Sequence, residues 1–549
     1  MTDIKEATLS PVAVHAPDLK TLLFRAAVIV VSALLLVALL VRVMNYEMRK
    51  DEQLYVPPLR LLDQHRLYED FFYNHPPGSA WLFHWMDKIV GSDQLLLSGR
   101  LGVFLAWLLL VAAIGGITYV LTQSALVSWC VAVLAVANDL LLTQTGMTAT
   151  NNLLPLPFSF LGLGLFVLAV EEERAEPVLA AIAGACLSLA VSFKISAFAF
   201  IPPVAIAAFL LPRSYSLRQR LLRVVAPLAG GGLIGGIPIL IYLFSAPQRF
   251  LAHVLGYHTG PHLQYWQMSN AAGEEAAISI AAKLMLARDV WLSASVAVAV
   301  SALLALLFTA LRTEANRRPG MVGVVNGPLL IVAGALFCSA TLSLVPTPSF
   351  PQYFALPLIC IPLALALLFR SLDVESRLRM QPVLLAAAMV ALVIEAPRFA
   401  QFAATAIHPE SWTVTRVHEA GVAISQRMAE AGVRGKVATL SPIYPLEGNV
   451  DVYLELATGP FAYRTADITE AELAAWYKMT SPTRIAAVLD ADPPAALLLG
   501  FDEVLERPMQ AYAQRNGYLP AADFAFKDRY GTPVLYLRPA TQGRSKPAL

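Results

Sequence analysis

Residues 22–52 read LLFRAAVIVVSALLLVALLVRVMNYEMRKDE. From Leu22 to Val43 the run is apolar enough and long enough to cross a hydrocarbon core, which takes about 17–25 residues. It is longer than the apolar region of a secretory leader, and Val41-Arg42-Val43-Met44 offers no small-residue cleavage site. The expectation is a retained anchor that delivers the acidic pair Asp51-Glu52 to a membrane surface. A carboxylate is expensive deep in lipid but natural at a water-filled rim, where it can act as a base on something arriving from the membrane. The bland alternative is a polar flank neutralised by Arg49 and Lys50, and position alone does not choose between the two.

The rest of the chain has the same membrane character. Of 549 residues 57% are hydrophobic and 14% charged, against about 25% charged in a soluble domain. A net charge of +1 carries no message about nucleic acid, so no nucleic-acid partner is expected. The four cysteines (Cys130, Cys186, Cys338, Cys360) sit in apolar runs and read as small buried side chains. Further candidate spans are 100–121, 125–142, 153–170, 178–193, 196–212, 224–244, 290–311, 326–345, 352–369 and 382–397, about 11 in all with the first. Three Arg-rich connections fall on the side of the N-terminus: Arg213, Arg218, Arg220 and Arg223; Arg312, Arg317 and Arg318; Arg370, Arg377 and Arg379. The positive-inside rule makes that side cytoplasmic and puts the C-terminal region outside.

Two loops expected outside are too long to be turns. The first, 44–99, mixes leucines with charges, as amphipathic helices lying along the interface do. The second, 245–289, is rich in histidine and aromatics. Beyond residue 397 the pattern changes to an amphipathic helix at 413–432, strands at 436–440 and 495–499, a helix near 503–516, and two strands around 524–537 turned at Tyr530-Gly531. The organisation expected is a transmembrane domain over 1–397 and an extracytoplasmic α/β domain over 398–549.

Downstream of the acidic pair come Tyr55, Pro57-Pro58, Tyr73-Asn74-His75-Pro76-Pro77-Gly78, Trp81 and Arg100-Leu101. An acidic pair after the first span, a Tyr shortly after it, an x-Pro-Pro segment leading to Trp, and Arg-Leu opening the next span resemble the GT-C glycosyltransferases. The nearest branch is the protein O-mannosyltransferase and aminoarabinose (lipid A) transferase-like group, of the glycosyltransferase family 39/83 type. One departure is His75, where many relatives carry Lys before Pro-Pro. The resemblance implies GT-C architecture, a polyprenyl-phosphate sugar donor and glycosyl transfer on the extracytoplasmic face. It also implies that Asp51 is general base on the acceptor hydroxyl; Glu52 joins it as a catalytic-site candidate, expected as a supporting group that positions the loop or tunes its neighbour. Tyr55, His75 and Arg100 match motif positions and are candidate donor or substrate contacts.

Attack at the anomeric carbon of a phosphate-linked sugar needs a base on one side and a cation near the leaving phosphate on the other. Lys194, at the expected outer end of a span, is the first candidate cation; simple snorkelling also explains such a lysine. His258 and His262 offer donor-phosphate or acceptor contact, or form a plain polar loop. Gly260-Pro261 between them argues against the helical i, i+4 pair that zinc favours, so no metal is expected and no cofactor is required. Asp139 is either a second polar determinant of the site or a helix-end carboxylate. Gln352 and Tyr353, in a segment resembling one found before a late span in the same family, can bond sugar or phosphate or simply anchor a Pro-rich interfacial turn. The glycines at 230–232 and 235–236 lie in a span and read as close helix packing rather than a nucleotide loop.

The expectation is therefore an inner-membrane, multi-pass glycosyltransferase of inverting mechanism, acting on a glycolipid, lipopolysaccharide or protein acceptor. A lipid-linked sugar transporter predicts polar residues through the spans, whereas here polarity gathers at one face. An inactive assembly partner stays open as a third reading.

Overall fold

Apolar runs broken by Pro, Gly and Asn determine where the helices start and stop. In the computed structural model, residues 19–171, 175–268, 276–317 and 327–539 are described. Five helices among them are long and apolar enough to cross a bilayer: Leu22–Asn45, Leu95–Thr122, Ala294–Thr313, Pro351–Ser371 and Val374–Ala400. The helices Leu217–Gly235 and Ile237–Ser245 form a sixth candidate bent by 70°. Pro238 explains the bend, because it lacks an N–H and its ring clashes with the preceding turn. Five shorter apolar helices, Ala125–Val136, Pro155–Val170, Pro177–Phe193, Ile195–Leu210 and Gly327–Ser343, coincide with the remaining expected segments.

Three boundaries differ from expectation. The segment expected over 125–142 stops being helical at Val136, because Asn138 turns its side-chain oxygen to the Leu141 N–H at 3.1 Å and competes with the helix. The last helix begins at Val374 rather than 382, capped by Asp373 on the Ser376 N–H at 2.8 Å. Arg377 and Arg379 therefore lie in that helix and not in a connection, and the expected domain boundary at 397 falls inside it. Arg318, like the start of the 326–345 segment and residues 269–275 of the second long loop, lies outside the described residues.

Gly231 and Gly235 act as packing positions, as does Gly184 on the facing helix, whereas a Cβ on Gly230 would meet nothing within 4 Å. A Cβ on Gly231 would lie 1.8 Å from the Ala181 carbonyl oxygen, and one on Gly184 1.9 Å from that of Leu228. Helices Pro177–Phe193 and Ala226–Gly235 thus meet backbone to backbone, which only glycine permits.

The first long loop folds as three helices, Glu52–Tyr55, Pro58–Leu61 and Gly78–Val90. The last exposes Trp85 (62%) and Ile89 (77%), as an interfacial helix does. Beyond residue 412, helix Thr413–Glu430 leads into a four-stranded sheet. Its strands are β1 (Val437–Ala438), β2 (Ala496–Leu499), β3 (Leu519–Pro520) and β4 (Val534–Leu537), ordered β1-β2-β4-β3. β1 and β2 are parallel and the other pairings antiparallel. β2 is buried along its length, as a central strand should be.

The hairpin expected within 524–537 is not formed. The strand before the turn lies earlier, at Leu519–Pro520, and 521–533 is a loop held by Asp528, which accepts from the Tyr530 and Gly531 N–H groups at 2.6 and 3.0 Å. That loop reaches the first long loop, where the Lys50 N–H donates to the Tyr530 hydroxyl at 2.8 Å. The α/β domain docks on the helical body through buried bonds. The Ile443 N–H donates to Gln53 Oε1 (3.1 Å), the Leu96 N–H to Glu447 Oε1 (2.7 Å), and Tyr257 Oη to the Phe461 carbonyl (2.7 Å).

Candidate active site

Adjacent residues in a helical turn point about 100° apart, and this splits the acidic pair. Asp51 stands at the start of the one-turn helix Glu52–Tyr55 and lines a cavity of about 980 Å³. Glu52 points the other way into the protein. It is fully buried (0%) against an equally buried Arg100, with Arg100 Nε to Glu52 Oε1 and Arg100 Nη2 to Glu52 Oε2 both at 3.0 Å. Glu52 also accepts the Ala149 and Arg49 N–H groups at 2.8 and 3.0 Å. Arg100 Nη1 donates to the Val43 and Tyr46 carbonyls at 2.7 and 2.6 Å. These are carbonyls at the end of the first helix, which lack intrahelical partners. Neither residue lines the cavity. Glu52 is placed as a supporting group rather than as a group in the cavity, and the expectation that Arg100 contacts donor phosphate is corrected: the pair staples the segment that carries Asp51.

The other expected site residues converge on the cavity. Tyr55, His75, Asp139, Lys194, His258, His262, Gln352 and Tyr353 all line it. Lys194 lies in an extended link between Pro177–Phe193 and Ile195–Phe200, because the chain leaves the helix there (φ −149°, ψ 120°). Its ammonium donates to Asn152 Oδ1 at 2.7 Å and lies 4.9 Å from the Tyr353 ring centre. It is within electrostatic reach of Asp51. Tyr55 stacks on His75, with ring centres 5.1 Å apart. His75, His258 and His262 follow one another at 5.4 and 5.5 Å.

Burial, reinforced by His258, Lys194 and His262, holds His75 well below the usual histidine range. Burial likewise lowers His258 and His262. Burial thus favours their uncharged form, which offers hydrogen bonds to a ligand. His258 and His262 sit on short helices, Tyr257–Thr259 and Pro261–Met268, broken at Gly260 as the Gly-Pro step demands. Among the described residues no three His, Cys, Asp or Glu side chains gather as a metal-binding group.

Asp139 is engaged with Arg398, which also pairs with Glu395 at 2.6 Å. Its role as seen is to tie the Asn138 turn to the last helix. Gln352 is buried with Oε1 lacking a hydrogen-bond partner, and Asn74 Oδ1 is in the same condition. Such orphaned acceptors in a cavity wall are where a hydroxyl-rich ligand bonds.

The sequence reading missed Arg464. It comes from the α/β domain, lines the cavity, and packs over the rings of Tyr265, Phe461 and Trp266 at 5.0, 5.1 and 5.2 Å. No local pattern marks it, because docking of the domain puts it there. A second groove of about 1150 Å³ lies between helix Thr413–Glu430 and the 523–529 loop, and Arg529 lines both.

The helical body, the roofing loops and the capping α/β domain define a multi-pass membrane protein of GT-C architecture, the fold that the resemblance implied. The family model described as dolichyl-phosphate-mannose-protein mannosyltransferase matches residues 74–250, a stretch that holds His75 and Lys194. The structure is similar to ArnT from Cupriavidus metallidurans bound to undecaprenyl phosphate, with 14% identity and a TM-score of 0.60 over 94% of this chain and 98% of that one. It is similar also to the apo state of that protein, with 13% identity and a TM-score of 0.61 over the same shares. At such identities the likeness is one of fold. No curated protein matches the chain.

Proposed function

We propose that the chain is a glycosyltransferase that moves a sugar from a polyprenyl-phosphate donor to a hydroxyl of a glycolipid, lipopolysaccharide or protein acceptor on the extracytoplasmic face. The observation that carries this reading is the convergence of Asp51 and Lys194 on one cavity, walled by buried histidines and orphaned polar atoms. Likeness of fold to a protein solved with undecaprenyl phosphate supports a lipid-linked donor. Asp51 takes the acceptor proton, the acceptor oxygen bonds to the anomeric carbon, and the bond from that carbon to the phosphate oxygen breaks on the opposite side. The configuration inverts, and polyprenyl phosphate leaves toward Lys194. Tyr55, His75, His258, His262, Gln352 and Tyr353 position the sugar and phosphate by hydrogen bonds and ring faces. Lys194 supplies a first cation beside the leaving group in this step. The groove beside Arg529 gives an acceptor a way in from the aqueous side.

The test incubates membranes containing the chain, or lacking it, with a panel of radiolabelled polyprenyl-phosphate hexoses and pentoses. One donor should yield a labelled acceptor of inverted anomeric configuration only when the chain is present. Retention of configuration would overturn the single-displacement reading, and no transfer from any donor would overturn the activity.

A further inference from the structure

Leaving-group charge poses a problem that Lys194 alone does not solve. The donor phosphate is a diester bearing one negative charge; when the bond to the anomeric carbon breaks, the monoester that departs carries close to two. Charge that develops in the transition state calls for a preplaced donor that is not already occupied. Lys194 spends one N–H on Asn152 and faces the Tyr353 ring. Burial disfavours the charged form of His75, His258 and His262. Arg49, Lys50 and Arg529 also line the cavity, but Lys50 pairs with Asp502 at 3.1 Å, Arg529 with Glu47 at 2.6 Å, and Arg49 packs on Tyr46 at 5.5 Å.

Arg464 shares a buried, unpartnered Nε with Arg49 but differs from these cations in being held by three rings at once. Among the described residues no ion pair involves its guanidinium. Its Nε is buried without a hydrogen-bond partner, and its plane is held between the rings of Tyr265, Trp266 and Phe461. Aromatic faces orient a guanidinium without consuming its in-plane N–H groups, so the fork stays available for the two oxygens of a phosphate. Its charge is felt at His262, which places it on the cavity's histidine wall.

We propose that Arg464 is a donor-phosphate ligand, so that the C-terminal domain completes the active site of the transmembrane body rather than merely covering it. This rests on the lipid-phosphate donor reading above. Docking of the domain, through Tyr257 on the Phe461 carbonyl and Tyr477 on the Ala252 carbonyl at 2.7 and 2.8 Å, then sets the position of the phosphate site.

The experiment titrates undecaprenyl phosphate into the purified full-length chain in nanodiscs, read by tryptophan fluorescence, since Trp266 adjoins Arg464. Wild type and Arg464→Gln, Arg464→Lys and Asp51→Asn variants are compared, with thermal unfolding as the control for fold. Loss of a charged hydrogen bond weakens binding about tenfold or more. The expected result is at least that loss in Arg464→Gln, partial recovery in Arg464→Lys at an unchanged unfolding midpoint, and retained binding in Asp51→Asn. If wild type and Arg464→Gln bind equally, Arg464 is not a phosphate ligand while the donor reading stands. If wild type does not bind at all, the donor reading itself fails and this inference with it. Should Arg464→Gln unfold, wild-type-like binding by Arg464→Lys supports the inference, and a folded Arg464→Lys that has lost binding as fully as a neutral residue would overturn it.

Discussion

Replacing Glu52 by Gln tests the staple beneath Asp51. Each carboxylate oxygen of Glu52 accepts two bonds: Oε1 from Arg100 Nε and the Ala149 N–H, Oε2 from Arg100 Nη2 and the Arg49 N–H, all at 2.8–3.0 Å. The amide of Gln turns one acceptor into a donor, so two N–H groups face an NH₂ and a fully buried guanidinium loses its counter-charge. Breaking one side of a buried pair costs about 3–5 kcal/mol, and Arg100→Met should cost a similar amount by stranding the Glu52 carboxylate. The double variant Glu52→Leu/Arg100→Met leaves no buried charge. It still loses the bonds to the Val43 and Tyr46 carbonyls and to the Ala149 and Arg49 N–H groups, at about 1 kcal/mol each. The double variant should therefore be no worse than Glu52→Leu or Arg100→Met alone, a coupling of about 3 kcal/mol or more. The assay is reversible SDS unfolding of the purified chain in bicelles. Additive losses below about 1 kcal/mol each, as for an exposed pair, would refute the staple. A Glu52→Gln variant of full stability but no transfer would return Glu52 to a catalytic role.

Other outcomes follow from the same geometry. Gly231→Leu should separate helices Pro177–Phe193 and Ala226–Gly235, since even a Cβ there meets a carbonyl at 1.8 Å, and cost about 3 kcal/mol or more in the same unfolding assay, above the usual overpacking range. Glu506, raised by burial to about 7, accepts the Gly500 and Phe501 N–H groups through Oε2 while its Oε1 is unpartnered. Folded, it holds its proton more tightly than unfolded, so its contribution is favourable below pH 4.5 and lost as pH rises toward 7. Glu506→Gln, which keeps one acceptor, should match wild type at pH 4.5 and exceed it at pH 8 by on the order of 2–3 kcal/mol in denaturant unfolding. Lys194→Met should raise the KM for a polyprenyl-phosphate sugar about tenfold or more in membrane transfer assays, whereas Arg288→Met, at an exposed arginine paired with Asp289, should leave it unchanged.

The helical body was legible because its signal is local: an apolar run of sufficient length, ended by Pro, Gly, Asn or a charge, is a helix whatever surrounds it. Asp51 and Lys194 were legible for a related reason, as charges at the ends of such runs. The division of labour between Asp51 and Glu52 was not, since it depends on Arg100 arriving from the second long helix to claim Glu52. Arg464 was invisible because its importance comes from docking of a separate domain, through single bonds such as Ile443 to Gln53. The misplaced hairpin has the same origin. The 521–533 loop has strand-like alternation, yet Tyr530 and Asp528 are spent on the first long loop and on the turn itself.

Single-turnover transfer by Asp51→Asn tests the central claim most directly. With a radiolabelled polyprenyl-phosphate sugar that wild type uses, the variant should bind undecaprenyl phosphate as wild type does yet transfer sugar about 10²–10⁴-fold more slowly, the range a positioned general base contributes. Transfer at the wild-type rate by Asp51→Asn would contradict the mechanism set out here.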